Sequence, residues 1–390
     1  MPRLFWGNFD FETTLGFVAS TAVSPRLLGE LAFSWLAIAG PEDVIVTPMP
    51  PRPDELQQLS DSLKTLLPRF VSHPEELSQS EGFNLQDFLA TPWGWSAFAE
   101  NEFARWGVTI PDHPAPAIVR MANSRQFSSS QEQSLDCALR GSMTLQSFAD
   151  VDGFLSQEGE LGLERRWVIK ADLSNSARER LLGQGETLTD SQRRWIAKRL
   201  ERDGRLHAEP WVERIAEAGV QWEIPQSGEP QLIGVVPLLT ATNGEYRGSL
   251  IAAPDDETFT NDALHLDTWR PAIDCQRQVV ERLQQLGYFG PCGIDACWYL
   301  SLNGEQRLRP IQDINARWTM GRLALGWRHR LPPQTTALWH FGPDSPAVGD
   351  PADHISLLRT TPTTLVATPL RLPSQLQLNV GNITSRYRSD

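Results

Sequence analysis

Carboxylate and amide side chains mark the two ends of a predicted β-hairpin in the last third of the chain. An Asn-Gly dipeptide at 303–304 separates two apolar runs, which is a strong hairpin signal. Asp295 then lies near Asp313 on the neighbouring strand, and Asn315 and Arg317 follow on the face of Asp313 because side chains alternate along a strand. Two carboxylates and an amide oxygen are suitable ligands for Mg²⁺, with Mn²⁺ as an alternative metal, and the arginine can contact phosphate or an acyl intermediate. A polar strand face that only contacts water is the other interpretation.

A lysine at the end of an apolar strand is a second candidate site residue. Lysine occurs at three positions in a chain with 35 basic residues, and Lys170 follows the apolar run 167–169. Its ammonium can project from a sheet toward a bound phosphate as a point charge. The residues after it are small and polar, as a flexible phosphate-covering loop requires: Ser174, Asn175, Ser176, Gly183 and Gly185. A lysine in solvent before an ordinary loop is the alternative.

A short strand flanked by acidic residues forms the third segment. Glu209 and Glu213 enclose Trp211 and Val212. Backbone groups of such a strand can bind the edge of an adenine, and a carboxylate there can bind a ribose hydroxyl. Taken alone, the segment favours the other interpretation, an edge strand with solvated acids.

The order and spacing of the three segments resemble the ATP-grasp superfamily over about residues 115–325. The most specific stretch runs from 290–295 to 313–321, which is similar to the family's acid strand, hairpin and Glu-x-Asn pattern. The resemblance implies ATP and Mg²⁺ as cofactors and assigns roles to the residues above. They are metal ligation by Asp295, Asp313 and Asn315; α/β-phosphate contact by Lys170; adenine or ribose contact by Glu209, Trp211, Val212 and Glu213; and a nucleotide contact by Arg125, where the family usually has lysine.

The sequence predicts an α/β protein with several lobes. Alternating strands and helices over residues 1–110 indicate a small parallel sheet, and the proline-rich stretch 111–116 ends that lobe. A strand at Ala117 to Met121 and a polar turn at Asn123 to Ser130 are expected next. The resemblance implies an ATP-grasp fold with a pre-ATP-grasp lobe at 1–112, a first ATP-grasp lobe at 113–212 with its lid at about 165–212, a second lobe with the metal-binding hairpin at 213–330, and C-terminal strands and loops at 331–390.

Composition excludes several classes of function. The formal net charge of −13 disfavours nucleic acid as a partner, since a phosphate backbone favours a basic face. No run approaches the roughly 20 apolar residues of a membrane-spanning helix, and the first residues lack a signal sequence, so a cytoplasmic protein without a membrane partner is expected. The 4 cysteines form no CxxC pair, which argues against zinc.

The function implied by the resemblance is that of an ATP-dependent ligase that joins a carboxylate to an amine. A small-molecule carboxylate attacks ATP, and the acyl-phosphate then reacts with a small-molecule amine, releasing ADP and phosphate. Lys170 and Arg317 are the expected catalytic residues. Two alternatives stay open: a non-catalytic ATP-binding or regulatory module, and an ATP-dependent phosphotransferase. A homodimer is compatible with the fold.

Overall fold

The computed structural model describes most of the chain up to residue 328 and three short strands beyond it. The described residues are 1–15, 25–63, 65–78, 83–157, 166–173, 179–241, 243–252, 266–328, 336–340, 355–356 and 366–370. Three residues of the predicted phosphate-covering loop, Ser174, Asn175 and Ser176, lie outside these ranges, as does most of 331–390.

The N-terminal residues form a parallel sheet covered by helices. Its strands are β1 (Arg3–Trp6), β2 (Val44–Val46), β3 (Arg69–Val71) and β4 (Leu89–Pro92), in the order β3-β2-β1-β4. The helices are α1 (Phe11–Leu15), α2 (Pro25–Ala32), α3 (Pro53–Leu63), α4 (Glu75–Ser78) and α5 (Ala97–Trp106), with 3₁₀ turns at Phe33–Ala37 and Leu85–Asp87. Leu4 and Phe5 of β1 are fully buried on opposite faces, as expected for a parallel sheet covered on both sides. The predicted small parallel sheet is confirmed.

The next segment is helical, although a strand and a turn were expected. Helix α6 (Pro116–Ala122) replaces the predicted strand, and α7 (Arg125–Ser134) replaces most of the predicted turn. Proline at the first helical position suits α6 because its missing N–H has no intrahelical acceptor there. Ser124 caps α7 by accepting a hydrogen bond from the Phe127 amide at 3.1 Å. Val119 and Phe127 are buried by tertiary contacts. This burial therefore outweighs the preference of β-branched residues for a strand.

A central antiparallel sheet follows. Its strands are β5 (Met143–Leu145), β6 (Arg166–Ala171), β7 (Arg180–Gln184) and β8 (Leu206–Pro210), in the order β5-β8-β6-β7. Helices α8 (Phe148–Leu155) and α9 (Asp190–Asp203) pack against it around buried Phe154, Trp167 and Ile196. Helix α9 starts at a Thr189 capping box and ends at Gly204 in the left-handed conformation, at the start and stop that the sequence predicts.

The C-terminal sheet is antiparallel and carries the predicted hairpin. Its strands are β9 (Glu213–Ile224), β10 (Gln231–Thr240), β11 (Tyr246–Ala252), β12 (Gly290–Leu300), β13 (Gln306–Asn315), β14 (Thr336–His340), β15 (Ile355–Ser356) and β16 (Val366–Leu370), in the order β13-β12-β9-β10-β11-β14-β16-β15. The helices are α10 (Leu266–Gln285) and α11 (Met320–Trp327). The hairpin of β12 and β13 is confirmed, with Gly304 at φ +76° in its turn.

Helix α10 covers one face of this sheet, which leaves the opposite face for polar side chains. Gln276 of α10 is fully buried, donates to the Pro310 carbonyl at 2.7 Å and accepts from Trp222 Nε1 at 3.1 Å. Ile294 and Ile314 are buried in the same core, so Asp295 and Asp313 point the other way. Among the described residues no helix is both long and apolar enough to cross a membrane.

Candidate functional site

The predicted metal ligands lie together on the open face of β12 and β13. Asp295 is directly opposite Asp313, and Asn315 is opposite Gly293. Asn315 Nδ2 donates to Asp295 Oδ2 at 3.3 Å. Burial raises the pKa of Asp295 to about 7, and the negative charge of Asp313 adds to this effect. The Asp295 carboxylate is therefore poorly solvated and lies next to a second carboxylate. Such a pair attracts a cation.

Arg125 supplies a cation to this pair. Its Nη1 and Nη2 donate to the two carboxylate oxygens of Asp313 at 3.1 and 3.0 Å, which is a bidentate ion pair. The backbone of Arg125 is fixed by Asp172, the residue that follows β6: the Arg125 amide donates to the Asp172 carbonyl at 2.9 Å, and the Gln126 amide donates to Asp172 Oδ1 at 2.8 Å. The central sheet thus positions the arginine that contacts the C-terminal sheet.

Arg317 is held just beyond the end of β13 by three different acceptors. Its Nε donates to Glu12 Oε1 at 2.6 Å, Nη1 to the Trp318 carbonyl at 2.9 Å and Nη2 to Asn315 Oδ1 at 3.0 Å. Glu12 is buried in α1 of the N-terminal lobe and compensates the guanidinium charge. Arg317 therefore joins the N-terminal lobe to the cluster around Asn315.

The chemistry of the donor set fits a hard divalent cation, because it offers carboxylate and amide oxygens. Each of the three side chains already has a hydrogen-bond partner: Asp313 pairs with Arg125, Asn315 with Arg317, and Asp295 with Asn315. The space lined by Arg125, Asp313 and Asn315 measures about 10 Å³, which is at the lower limit for holding one water. Arg125 stands where a bound cation would neutralise Asp313. Within the described ranges no three His, Cys, Asp or Glu side chains converge on a metal-sized point, so the amide oxygen is needed as a ligand.

Lys170 and Glu209 belong to a buried chain of ion pairs. Lys170 on β6 contacts Glu209 Oε1 on β8, whose other oxygen accepts from Arg309 Nη2 at 2.9 Å. Arg309 in turn makes two hydrogen bonds, of 2.7 and 3.1 Å, with Glu132 of α7. Burial lowers the pKa of Lys170 to about 8 despite Glu209, and the charges of Arg309 and Lys170 hold the pKa of Glu209 low against its burial. The network ties the helix of Arg125 to both sheets.

The segment expected to contact adenine or ribose joins the central and C-terminal sheets. Strand β8 ends at Pro210 and β9 begins at Glu213, so Trp211 and Val212 form the link. The Trp211 amide donates to the Arg166 carbonyl at 2.9 Å, and the guanidinium carbon of Arg214 lies 4.6 Å from the centre of the Trp211 ring. The structure therefore brings this segment next to β6, whereas the Glu209 carboxylate points into the ion-pair network and not to an open edge.

Two glycines that the sequence assigned to a phosphate-covering loop lie in strand β7 or directly after it. Gly183 lies within β7 opposite Trp167, and an added Cβ would overlap the Trp167 ring. Gly185 has φ +80°, which favours glycine, and its carbonyl accepts a hydrogen bond from Trp167 Nε1 at 2.9 Å. For Gly183 the loop interpretation is wrong, because this residue lies within a strand and the absence of a side chain makes room for a buried indole.

Sequence reasoning missed four residues of the site: Glu12, Glu132, Asp172 and Arg309. Each is an ordinary charged residue in a helix, strand or turn, and its partner lies far away in the chain. Arg309 itself gives no clear signal, because Arg307, Gln312 and Asp313 lie in the same strand run. The acids that neutralise it carry no pattern of their own.

Two solved structures of N5-carboxyaminoimidazole synthetase from Staphylococcus aureus are similar to this chain. The complex with ADP has a TM-score of 0.53 at 10% identity, and the match covers 99% of this chain and 97% of the synthetase chain. The second structure has a TM-score of 0.52 at 11% identity, with the same coverage. No protein-family model and no curated protein sequence matches the chain. The similarity extends over nearly the whole chain, and the chain has the ATP-grasp fold.

Proposed function

We propose that the protein binds Mg·ATP between its central and C-terminal sheets and uses it to join a carboxylate to an amine. The observation that carries the proposal is the ion pair of Arg125 with Asp313, which lies beside Asp295 and Asn315. Lys170 contacts Glu209 and is close enough to Arg125 for their charges to interact. Cationic side chains next to carboxylate and amide oxygens are what a nucleotide polyphosphate and its metal need. The similar synthetase was solved with ADP, which supports a nucleotide as the ligand of this fold.

The positive side chains would bind and orient the phosphates. Lys170 lies on β6 and contacts Glu209 of β8, and the amide of Arg125 donates to the carbonyl of Asp172, the residue after β6. Asp295, Asp313 and Asn315 would hold Mg²⁺, which supplies positive charge to the phosphate oxygens when bound. Trp211 and Val212, in the link between the sheets, and Glu213 at the start of β9 would contact the adenine or ribose.

The proposed reaction has two steps. An oxygen of the substrate carboxylate forms a bond to the γ-phosphorus, and the bond from that phosphorus to the bridging oxygen breaks and releases ADP. The amine nitrogen then bonds to the acyl carbon, phosphate leaves and one proton is released. Arg317 would orient the acyl group, and most of the acceleration would come from positioning and fixed charges.

Release of ADP in the presence of different acids and amines tests this reaction. The proposal expects Mg²⁺-dependent ADP release that needs both an acid and an amine, and that is lost in Asp295→Asn. The matched control is Asp87→Asn, an exposed aspartate of the N-terminal lobe. Release that needs the acid alone, with a stable phosphorylated product, would instead identify a phosphotransferase.

A non-catalytic ATP-binding module is the second candidate, and the hydrogen bonds of the metal ligands favour it. Asp313 and Asn315 are hydrogen-bonded to two arginines, and the space beside them, about 10 Å³, is at the lower limit for holding one water. Nucleotide binding without ADP release under any acid and amine pair would identify such a module.

A further inference from the structure

A cavity of about 320 Å³ lies between the N-terminal lobe and the C-terminal sheet. Residues 90–95 of the N-terminal lobe line one side of it. The opposite side is lined by residues 223–226, 288–291 and 316–318. Its volume is at the small end of the range for small-molecule sites, which begins at roughly 300 Å³. At one end it reaches Arg317, whose guanidinium donates to Asn315 at 3.0 Å. The cavity is therefore adjacent to the proposed reaction centre.

Five aromatic residues contribute to its walls, and neighbouring groups brace several of them. Trp93, Trp95, Tyr288, Phe289 and Trp318 all line the cavity. The ring of Trp95 stacks on His113 with centroids 4.1 Å apart, and that of Trp318 packs edge-on against Trp35 at 5.6 Å. The Trp318 amide donates to the Trp93 carbonyl at 3.1 Å. Braced flat walls of this kind suit a flat apolar ligand.

The backbone around the rings is equally fixed. Buried Asn8 accepts from the Trp93 amide at 2.8 Å and donates to the Gly94 carbonyl at 2.9 Å, which holds the turn after β4. A Cβ on Gly94 would come within 2.6 Å of the Phe11 ring, so glycine allows this close packing. The Tyr288 hydroxyl donates to the Pro291 carbonyl at 2.5 Å. The cavity is thus preformed, and filling it costs little ordering of the protein.

The charges around the cavity favour a cation over an anion. Of the described lining residues, Arg317 is the one with a basic side chain, and Glu12 compensates its charge. Glu223 is paired with Arg322 at 2.8 Å. Asp112, which is exposed at the rim, has no ion pair among the described residues and adds one uncompensated negative charge. A carboxylate or phosphate ligand would find no free basic group on this wall.

We infer that this cavity binds the amine substrate, and that the substrate is an arylalkylamine whose ring lies between the aromatic side chains of the walls. The inference rests on the proposed function for the identity of the second reactant. An arylalkylamine enters as the ammonium ion, and the ring is desolvated against the aromatic walls. The Arg317 end of the cavity leads toward Asn315, where an acyl group would be presented.

Calorimetry with three probes tests the inference: 2-phenylethylamine, phenylacetate and butylamine, each with and without Mg²⁺ and a non-hydrolysable ATP analogue. The cavity is expected to bind phenylethylamine at least about tenfold more tightly than either probe that lacks the ring or the positive charge. Phe289→Ala should weaken the binding of 2-phenylethylamine by about tenfold, and Asp112→Asn should weaken it by about threefold. The matched controls are Phe98→Ala and Asp87→Asn, which alter exposed residues outside the cavity.

Phenylacetate binding as tightly as phenylethylamine would overturn the inference, as would equal binding to the Phe289 and Phe98 variants. Failure of the amine in a protein that still binds the ATP analogue would overturn it too and leave the proposed nucleotide site intact. Amine binding by a protein that binds no nucleotide would support the cavity and contradict the ligase function.

Discussion

Arg125 and Asp313 form a bidentate ion pair across the junction of the central and C-terminal lobes, with N–O distances of 3.0 and 3.1 Å. The carboxylate is a proposed metal ligand and the guanidinium a proposed nucleotide contact. Because both proposed roles use the atoms that form this pair, the pair must separate when Mg·ATP binds. A phosphate group can bind Arg125, and the metal ion can then take the place of the arginine beside Asp313.

Arg125→Ala is therefore predicted to bind Mg²⁺ without nucleotide about tenfold more tightly than the wild type, since Asp313 loses a charged partner. The same variant should bind the ATP analogue more weakly, because a phosphate contact is lost. Titrations with Mg²⁺ alone and with the analogue check both effects. Arg105→Ala, which removes an exposed arginine paired within α5, is the control. Unchanged Mg²⁺ affinity in the Arg125 variant would mean that the pair does not compete with the metal.

Glu132→Gln is predicted to lower the free energy of unfolding by about 3 kcal/mol, because it leaves the buried guanidinium of Arg309 with one carboxylate in place of two. Both side chains are more than 90% buried, with exposures of 6% for Arg309 and 7% for Glu132. Urea unfolding measures the effect. The control is Glu305→Gln, which breaks an exposed pair with Arg307 and should change the same quantity by less than about 1 kcal/mol. Equal effects in the two variants would rule out a structural role for the buried network.

Nucleotide affinity is predicted to fall as the pH rises above about 8. Burial lowers the pKa of Lys170 to about 8, so the free protein loses this proton well below the usual lysine range. A bound polyphosphate favours the ammonium, so the complex holds more protons than the free protein from about pH 8 upward, and binding takes up protons there. Below about pH 7 both states are protonated and this group adds no pH dependence.

Calorimetry at about pH 8.5 in two buffers of different ionisation heat measures the proton uptake directly. Lys170→Arg is the matched control, because arginine stays protonated and its binding should show no uptake from this position. Equal heats in both buffers for the wild type would show that Lys170 does not change its protonation on binding.

The features that the sequence predicts correctly are those set by interactions between residues close together in the chain. The hairpin at 303–304 and the start and stop of α9 follow from local turn and capping chemistry, and both are found. Residues 117–121 form helix α6 although their local pattern suggested a strand, because burial against distant elements outweighs propensity. The pairs of Arg317 with Glu12 and of Arg309 with Glu132 join residues 305 and 177 positions apart, and a single sequence does not encode such partners visibly.

Gly183→Ala is predicted to lower the free energy of unfolding by about 1–3 kcal/mol, because the new methyl group overlaps the buried Trp167 ring. A flexible-loop role for Gly183 would predict little change. Gly153→Ala is the control: this glycine lies in helix α8 with open space around it, and alanine there should be neutral or stabilising by up to about 1 kcal/mol. Urea unfolding followed by tryptophan fluorescence compares the two variants.

Binding of a non-hydrolysable ATP analogue, measured by calorimetry with and without Mg²⁺, tests the nucleotide site most directly. The variants are Lys170→Ala and Asp313→Ala, with Lys198→Ala on α9 as the control outside the site. The account predicts Mg²⁺-dependent binding by the wild type and the control, and binding weakened by about 1–3 kcal/mol in each site variant. A wild-type protein that binds no nucleotide under any metal condition would contradict it and leave an ATP-grasp fold without its chemistry.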